Sequence, residues 1–167
     1  YIVLDDMGFS DLGCYGSAIK TPNIDRLAAN GLRYNNFCAT PVSSPTRASL
    51  LTGRQNNAVG MGNVADVALG EDRPNMQARI FPEAGTIAEI LLEEGYSTMG
   101  VGKWHAVPGY QVTPAGPFEN WPSGKGFERY YGFLGGETDQ YNPQLIYDNH
   151  IVSAPNTPGY HFSEDIY

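Results

Sequence analysis

Three pairs of side chains stand out as able to do chemistry: Ser43 and Arg47, Asp5 and Asp6, Lys103 and His105. The first pair lies in the stretch SSPTRASLLTGR, residues 43–54. There Ser44 reads as an N-cap and Pro45 as the first helical residue, which leaves Ser43 just ahead of the helix. Arg47 then falls at the third helical position, where the macrodipole opposes a cation by about 0.3–1 kcal/mol. A bound anion would reverse that cost, because free backbone N–H groups and the guanidinium would converge on it. Ser43, four residues earlier, would offer its oxygen to the same anion. The local pattern also fits a surface arginine paired with a nearby acid. Asp5 and Asp6 are neighbouring carboxylates that repel unless a cation sits between them, and hard divalent ions take such oxygen ligands. Ca²⁺ uses about 6–8 oxygens, so the pair supplies part of a site at most, and two solvated loop acids would look the same. Lys103 and His105 stand two apart, on one side of an extended strand, where an ammonium and an imidazole can bind an anion and move a proton. A strand end reaching solvent is the plainer reading. His150 and His161 lie in polar sequence without a readable partner and are taken as surface residues.

These groups must be held by elements that the hydropathy pattern marks out. YIVLDD is an apolar run ended by acids and Gly8, the pattern of a buried strand stopping at a sheet edge. TPNIDRLAANG predicts a helix capped by Thr21, opened by Pro22 and closed by Gly31. LRYNNFCAT predicts a strand, and the helix of the quoted stretch ends at Gly53. No clear element is legible from about 55 to 82. TIAEILLEEG carries a capping box of Thr86 and Glu89 with an apolar stripe behind it, and YSTMGVGKWH predicts the next strand. Beyond residue 105 the chain is rich in Pro, Gly and aromatics, which favours loops and short strands. Alternating helices and strands predict a layered α/β domain with a largely parallel sheet, whose ligands gather at the carboxyl ends of the strands.

Composition narrows the function. Ten Lys and Arg against 18 Asp and Glu give a net charge of −8, with no basic cluster, so a nucleic-acid footprint is excluded. No apolar run is long enough to span a bilayer. The first residue is Tyr1 rather than Met, so a targeting segment is neither seen nor excluded. Cys14 and Cys38 match no metal or redox spacing; two ordinary, buried thiols are expected, with a disulfide as the other reading.

Taken in order, these pieces resemble the N-terminal part of the sulfatase family, within the alkaline-phosphatase-like superfamily, with a bacterial arylsulfatase flavour. The family signature, Cys or Ser, any residue, Pro, any residue, Arg, then Leu-Thr-Gly-Arg, reads here as Ser43, Pro45, Arg47 and Leu51 to Arg54. DDMGFSDLGCYG, TPNIDRLAANGLRYNNF, TIAEILLEEGYSTMGVGKWH and GFLGGETDQYNP look like successive blocks of the same family. The resemblance implies an α/β/α fold around a largely parallel sheet, with residues 1–167 as the N-terminal portion of one catalytic domain and no internal boundary. It implies that Ser43 is the precursor of formylglycine, formed by a maturation enzyme, whose hydrate attacks sulfur with one hydroxyl and expels sulfate with the other. It makes Arg47 the stabiliser of that diol and Lys103 a sulfate contact. His105 becomes a proton acceptor, and Asp5, Asp6 and Ser43 become ligands of Ca²⁺ or Mg²⁺. The implied substrate is a small-molecule or glycan sulfate ester, and the implied location periplasmic or secreted.

Two departures shape the expectation. Ser43 stands where the most similar arylsulfatases carry Cys, which leaves a serine-type sulfatase, an engineered Cys-to-Ser form and an unmodified, weak enzyme all open. The remaining metal ligands, a second lysine and the histidine that protonates the leaving alcohol lie downstream in the family, so this stretch alone is expected to be inactive. A phosphomonoester or phosphonate monoester hydrolase on the same scaffold is the nearest rival. A non-catalytic binder of sulfated ligands is the other.

Overall fold

The computed structural model describes residues 1–70 and 72–166. The chain divides into two compact units, Tyr1–Ala39 and Thr40–Tyr167.

The first unit is built on local hydrogen bonds rather than on a core, since none of its residues is buried. Two short 3-10 turns, Phe9–Asp11 and Gly13–Tyr15, precede helix α1, Pro22–Ala29, which has Pro22 at its start as the sequence predicts. Thr21 holds the N-cap position but does not cap. Its hydroxyl instead donates to Asp25 Oδ1 at 2.9 Å and accepts from the Gly13 amide at 2.9 Å, while Asp25 also takes the Cys14 amide at 2.7 Å. The carboxylate of Asp25 thus ties the turn to the helix. The expected strands over YIVLDD and LRYNNFCAT are not formed: Ile2 and Phe37, for instance, are exposed. An apolar run becomes a strand only where a neighbour takes up its N–H and C=O groups, and no ladder is available within this unit. Cys14 and Cys38 are free thiols, half-buried and exposed respectively, so neither the disulfide nor the burial expected of them is found.

The second unit carries the core and the sheet. Helix α2 is Ser43–Thr52 and closes at Gly53, whose φ of 65° is the left-handed conformation expected of a glycine C-cap. Helix α3, Ile87–Glu93, is entered through the capping box read from the sequence: the Glu89 amide donates to Thr86 Oγ1 at 3.2 Å, and the Thr86 amide to Glu89 Oε2 at 2.6 Å. Strands β1 (Met99–Lys103), β2 (Arg129–Phe133), β3 (Leu145–Tyr147) and β4 (His150–Val152) form one sheet in that order. The β1–β2 pair is parallel and the other two pairs are antiparallel, so the class is α/β with a mixed sheet. The antiparallel part follows from the short connections after Phe133, because only antiparallel strands can be joined by a two-residue turn such as Asp148–Asn149. A short helix α4, Phe162–Asp165, follows. Among the described residues no helix is long and apolar enough to cross a membrane.

The principal core gathers Trp104, Trp121, Met61, Ile80, Tyr130, Leu134 and Ile146 against Ala48 of α2. Several buried polar groups in and around it are paired. Trp104 Nε1–H donates to the Asn120 carbonyl at 2.9 Å and Trp121 Nε1–H to the Gln111 carbonyl at 3.0 Å. Burial pushes the Lys125 ammonium below its ordinary pKa, and its Nζ donates to the Ile80 carbonyl at 2.9 Å. Tyr130, also buried, is held well above the ordinary tyrosine pKa by desolvation and donates its hydroxyl to the Gly102 carbonyl at 2.6 Å. Gly132 lies opposite Gly102 in the register, and a Cβ there would come within 1.9 Å of the Gly102 carbonyl oxygen.

Ser44 ties α2 to the segment before α3. It is fully buried, and its Oγ accepts from the Ala65 amide at 2.9 Å, so the residue expected to cap its own helix instead caps a distant loop. Gly132→Ala in the complete protein is expected to lower unfolding free energy by about 3 kcal/mol or more, the upper end of overpacking costs, because the clash is with backbone. Gly109→Ala, placed where nothing lies within 4 Å of the new Cβ, should stay within about 0.5 kcal/mol of the parent. Ser44→Ala should cost about 1–3 kcal/mol by leaving a buried amide unpaired, and should speed hydrogen exchange at Ala65. Denaturant melts and native-state exchange measure these effects.

Candidate active site

The chemistry read from the sequence converges in the second unit on the first turn of α2 and the exit of β1. Ser43 is the first residue of the helix and Arg47 the fifth, with Val42 in the N-cap position and no side-chain cap. The helix therefore begins earlier than the sequence pattern suggests, with Ser43 in the first turn rather than ahead of it. Pro45 permits this because the amides of a first turn have no intrahelical acceptor, so a residue without an N–H costs nothing there. Thr46 fastens the entry: its hydroxyl donates toward the Thr40 carbonyl at 2.8 Å and the Val42 carbonyl at 3.0 Å.

Helical side chains lean toward the N-terminus, so Arg47 reaches back along the helix although its Cα sits a full turn inside. Its Nε–H donates to Ser43 Oγ at 3.0 Å and its Nη1–H to the Lys103 carbonyl at 2.8 Å. One planar fork thus joins the helix start to the last residue of β1. Both Ser43 and Arg47 are half-buried, as is Lys103, so the cluster is partly screened from water yet still reachable.

The strand ladder runs on past its assigned end, with the Trp104 amide on the Phe133 carbonyl at 2.9 Å and the His105 amide on the Leu134 carbonyl at 3.1 Å. His105 itself has φ 49°, in the left-handed region. The expectation that Lys103 and His105 share one side of an extended strand therefore fails, since the chain turns at His105. A non-glycine residue held at positive φ costs on the order of 1 kcal/mol and persists where its surroundings over-determine it. His105 is 5% exposed. Its Nε2 lies 2.7 Å from Asp66 Oδ2, and its Nδ1 is buried with no hydrogen-bond partner.

These contacts form a closed circuit. Ser43 connects through Arg47 to Lys103, the backbone leads from Lys103 to His105, and His105 pairs with Asp66. The circuit returns from Ala65 to Ser44 and so to Ser43. Four of the six residues singled out by sequence are thereby brought together. Asp66 and Ser44 were missed as site residues. Asp66 lies in the aperiodic segment after residue 55, where nothing distinguishes it from a loop acid, and Ser44 reads as an ordinary cap.

Asp5 and Asp6 belong to the first unit. Both are exposed, and Asp6 has φ 54°. Their donor chemistry fits a hard divalent cation, as two carboxylates of a larger oxygen set. Among the described residues there is no cluster of three or more His, Cys, Asp or Glu that would hold a metal. His150 is exposed, as expected, whereas His161 is half-buried, with its Nδ1 2.7 Å from Ser163 Oγ and its ring edge-on to Tyr141. A cavity of about 460 Å³ in the second unit is lined by Phe133, Leu134, Glu137, Leu145 and Val152 among others, and none of the site residues lines it.

Comparison with known proteins gives a consistent picture. The Sulfatase family profile matches residues 1–167. The chain is 35% identical over 148 residues to an arylsulfatase of Klebsiella aerogenes, covering 86% of this chain and 29% of the relative. It is 43% identical over 134 residues to arylsulfatase A of Homo sapiens, covering 78% of this chain and 24% of the relative. Among solved structures, that of Ps i-CgsB superposes with a TM-score of 0.78 at 29% identity, over 98% of this chain and 38% of the other. The chain thus spans less than a third of either of these two curated relatives, 29% and 24%. The full-length profile match, the relatives and the α/β fold agree: this chain belongs to the sulfatase family.

Proposed function

We propose that the protein hydrolyses sulfate monoesters, of the arylsulfatase type, through a formylglycine derived from Ser43. The observation that carries this reading is the Arg47 fork, which fixes the oxygen of residue 43 at a helix N-terminus and ties it to the end of the strand bearing Lys103. A helix N-terminus with a guanidinium folded back over it is a site for a tetrahedral oxyanion. The hydrated aldehyde, once formed, supplies a hydroxyl to attack sulfur and a second hydroxyl whose deprotonation lets sulfate leave.

The chain's own residues then have separable roles. Arg47, charged at any working pH, steadies the oxygen at position 43 and the negative charge that develops beside it. Lys103 binds the sulfate oxygens through its ammonium. His105 takes the proton released as sulfate departs. By the family resemblance Asp5 and Asp6 would hold a divalent cation, Ca²⁺ or Mg²⁺, whose chemistry when bound would be that of a Lewis acid toward a sulfate oxygen. The substrate is a small-molecule or glycan sulfate ester. The glycan class draws support from the structural neighbour Ps i-CgsB, solved in complex with k-i-k-neocarrahexaose. By family habit the enzyme is periplasmic or secreted.

The deciding experiment is peptide mass spectrometry across residues 43–54 of the complete protein co-produced with a formylglycine-generating enzyme. Loss of two hydrogens at Ser43, with labelling by a hydrazine probe, is expected, together with turnover of sulfate esters in preference to matched phosphate esters. Phosphate preference with an intact Ser43 would instead make the protein a phosphomonoester hydrolase. Binding of sulfate esters without turnover, after maturation, would make it a binder. Arg47→Ala and Lys103→Ala should each lower kcat by on the order of 10²–10³-fold, as for loss of one oxyanion donor, with an unchanged circular dichroism spectrum. Arg47→Lys should restore little, because an ammonium cannot span both acceptors of the fork. Near-parental kcat in the alanine variants would sink the assignment.

A further inference from the structure

The two nitrogens of the His105 ring have opposite surroundings. Nε2 meets a carboxylate oxygen of Asp66 at 2.7 Å, whereas Nδ1 is buried and unpartnered. A carboxylate only accepts, so in the neutral imidazole Nε2 must carry the hydrogen and Nδ1 the lone pair. A buried acceptor without a donor costs about 1–3 kcal/mol, which calls for a reason to keep it.

Asp66 is held in place although its side chain is 61% exposed. The Ala65 amide beside it is pinned to buried Ser44 Oγ at 2.9 Å, and the Val67 amide closes a turn onto the Val64 carbonyl at 3.1 Å. The carboxylate is therefore fixed from the same helical turn that carries Ser43. On the other side, Gly136 lets the backbone close on the imidazole: a Cβ there would fall 2.8 Å from His105 Cε1 and 2.9 Å from Nε2. The ring is thus held at one nitrogen and packed at one face.

The geometry points to Asp66 as the positioning residue of the reaction, which locks His105 in the Nε2–H tautomer and so makes Nδ1 the atom that accepts the proton. This rests on the sulfatase reading of His105. In the step concerned, an O–H bond of residue 43 breaks and an N–H bond forms at Nδ1. The electron pair of that O–H bond closes the aldehyde C=O of residue 43, and sulfate leaves with the pair of the broken carbon–oxygen bond. The imidazolium, neutralised by Asp66, later returns its proton to water.

The test uses the complete protein with ¹⁵N-labelled histidine, comparing the parent with Asp66→Asn, Asp66→Ala and Asp66→Glu. His105 signals are assigned by their loss in His105→Gln. Long-range ¹H–¹⁵N spectra recorded without substrate should show one Nε2–H tautomer in the parent, a mixed or reversed population in the Asn and Ala variants, and recovery in Glu. In the matured enzyme kcat should fall at least about tenfold in Asn and Ala with KM little changed, a fraction of the 10²–10⁴ contributed by a placed proton acceptor. An unchanged tautomer in Asp66→Ala overturns the proposal, and so does a changed tautomer with parental kcat. If the tautomer responds as expected but the matured parent turns over no sulfate ester, the positioning by Asp66 stands and the sulfatase reading falls.

Discussion

The guanidinium of Arg47 is the joint on which the second unit's site depends. Its two acceptors, Ser43 Oγ and the Lys103 carbonyl, are 60 residues apart in the chain, counted from position 43 to position 103, and the contact links the helix start to the strand exit. A lysine in its place would be a point charge free to choose one acceptor, whereas the planar fork satisfies both and fixes the angle between them. The same contact answers the cost of placing a cation near the positive end of a helix dipole. A hydroxyl and a carbonyl take up two of its N–H groups at that place.

The joint works only because the strand it grips is itself fixed. Gly132 faces Gly102 across the parallel pair with no room for a side chain of its own, and the Tyr130 hydroxyl closes on the Gly102 carbonyl beside them. Tyr130 is buried and stays protonated over the whole useful pH range, so this contact does not come and go with acidity. The ladder then continues through Trp104 to His105, where the backbone turns into the left-handed region. Trp104 buries its indole in the core, between the two candidate site residues Lys103 and His105. Core packing and site geometry are thus set by one short run of backbone.

How much of this was legible in the sequence depended on the range of the interaction. The capping box of Thr86 and Glu89, the glycine exit at Gly53 and the proline start of α1 are set by neighbours within one turn, and each is found as read. Ser44 was misread because a cap and a long-range acceptor are the same chemical group, and only the fold brings Ala65 to it. The strands expected at YIVLDD and LRYNNFCAT failed for the complementary reason, since apolar pattern supplies a strand's faces but not its hydrogen-bonding neighbour. Ser43, Arg47, Lys103 and His105 were singled out by their order in the chain. Asp66 was invisible because its role lies entirely in a contact made across 39 positions.

The overall charge of −8 is compatible with an anion site for a reason that involves Asp66 directly. Distant acids are screened over about 8 Å at physiological ionic strength, so only nearby charges decide whether sulfate is admitted. Asp66 is nearby, and an unpaired carboxylate at that place would repel the substrate. Its exposure to water weakens its field, while its short contact with a buried imidazole keeps its strongest effect on His105. The arrangement lets the negative charge act where a proton arrives and little where an anion binds. When His105 becomes cationic its pair with Asp66 is neutral, so the arriving proton adds no net charge at that pair.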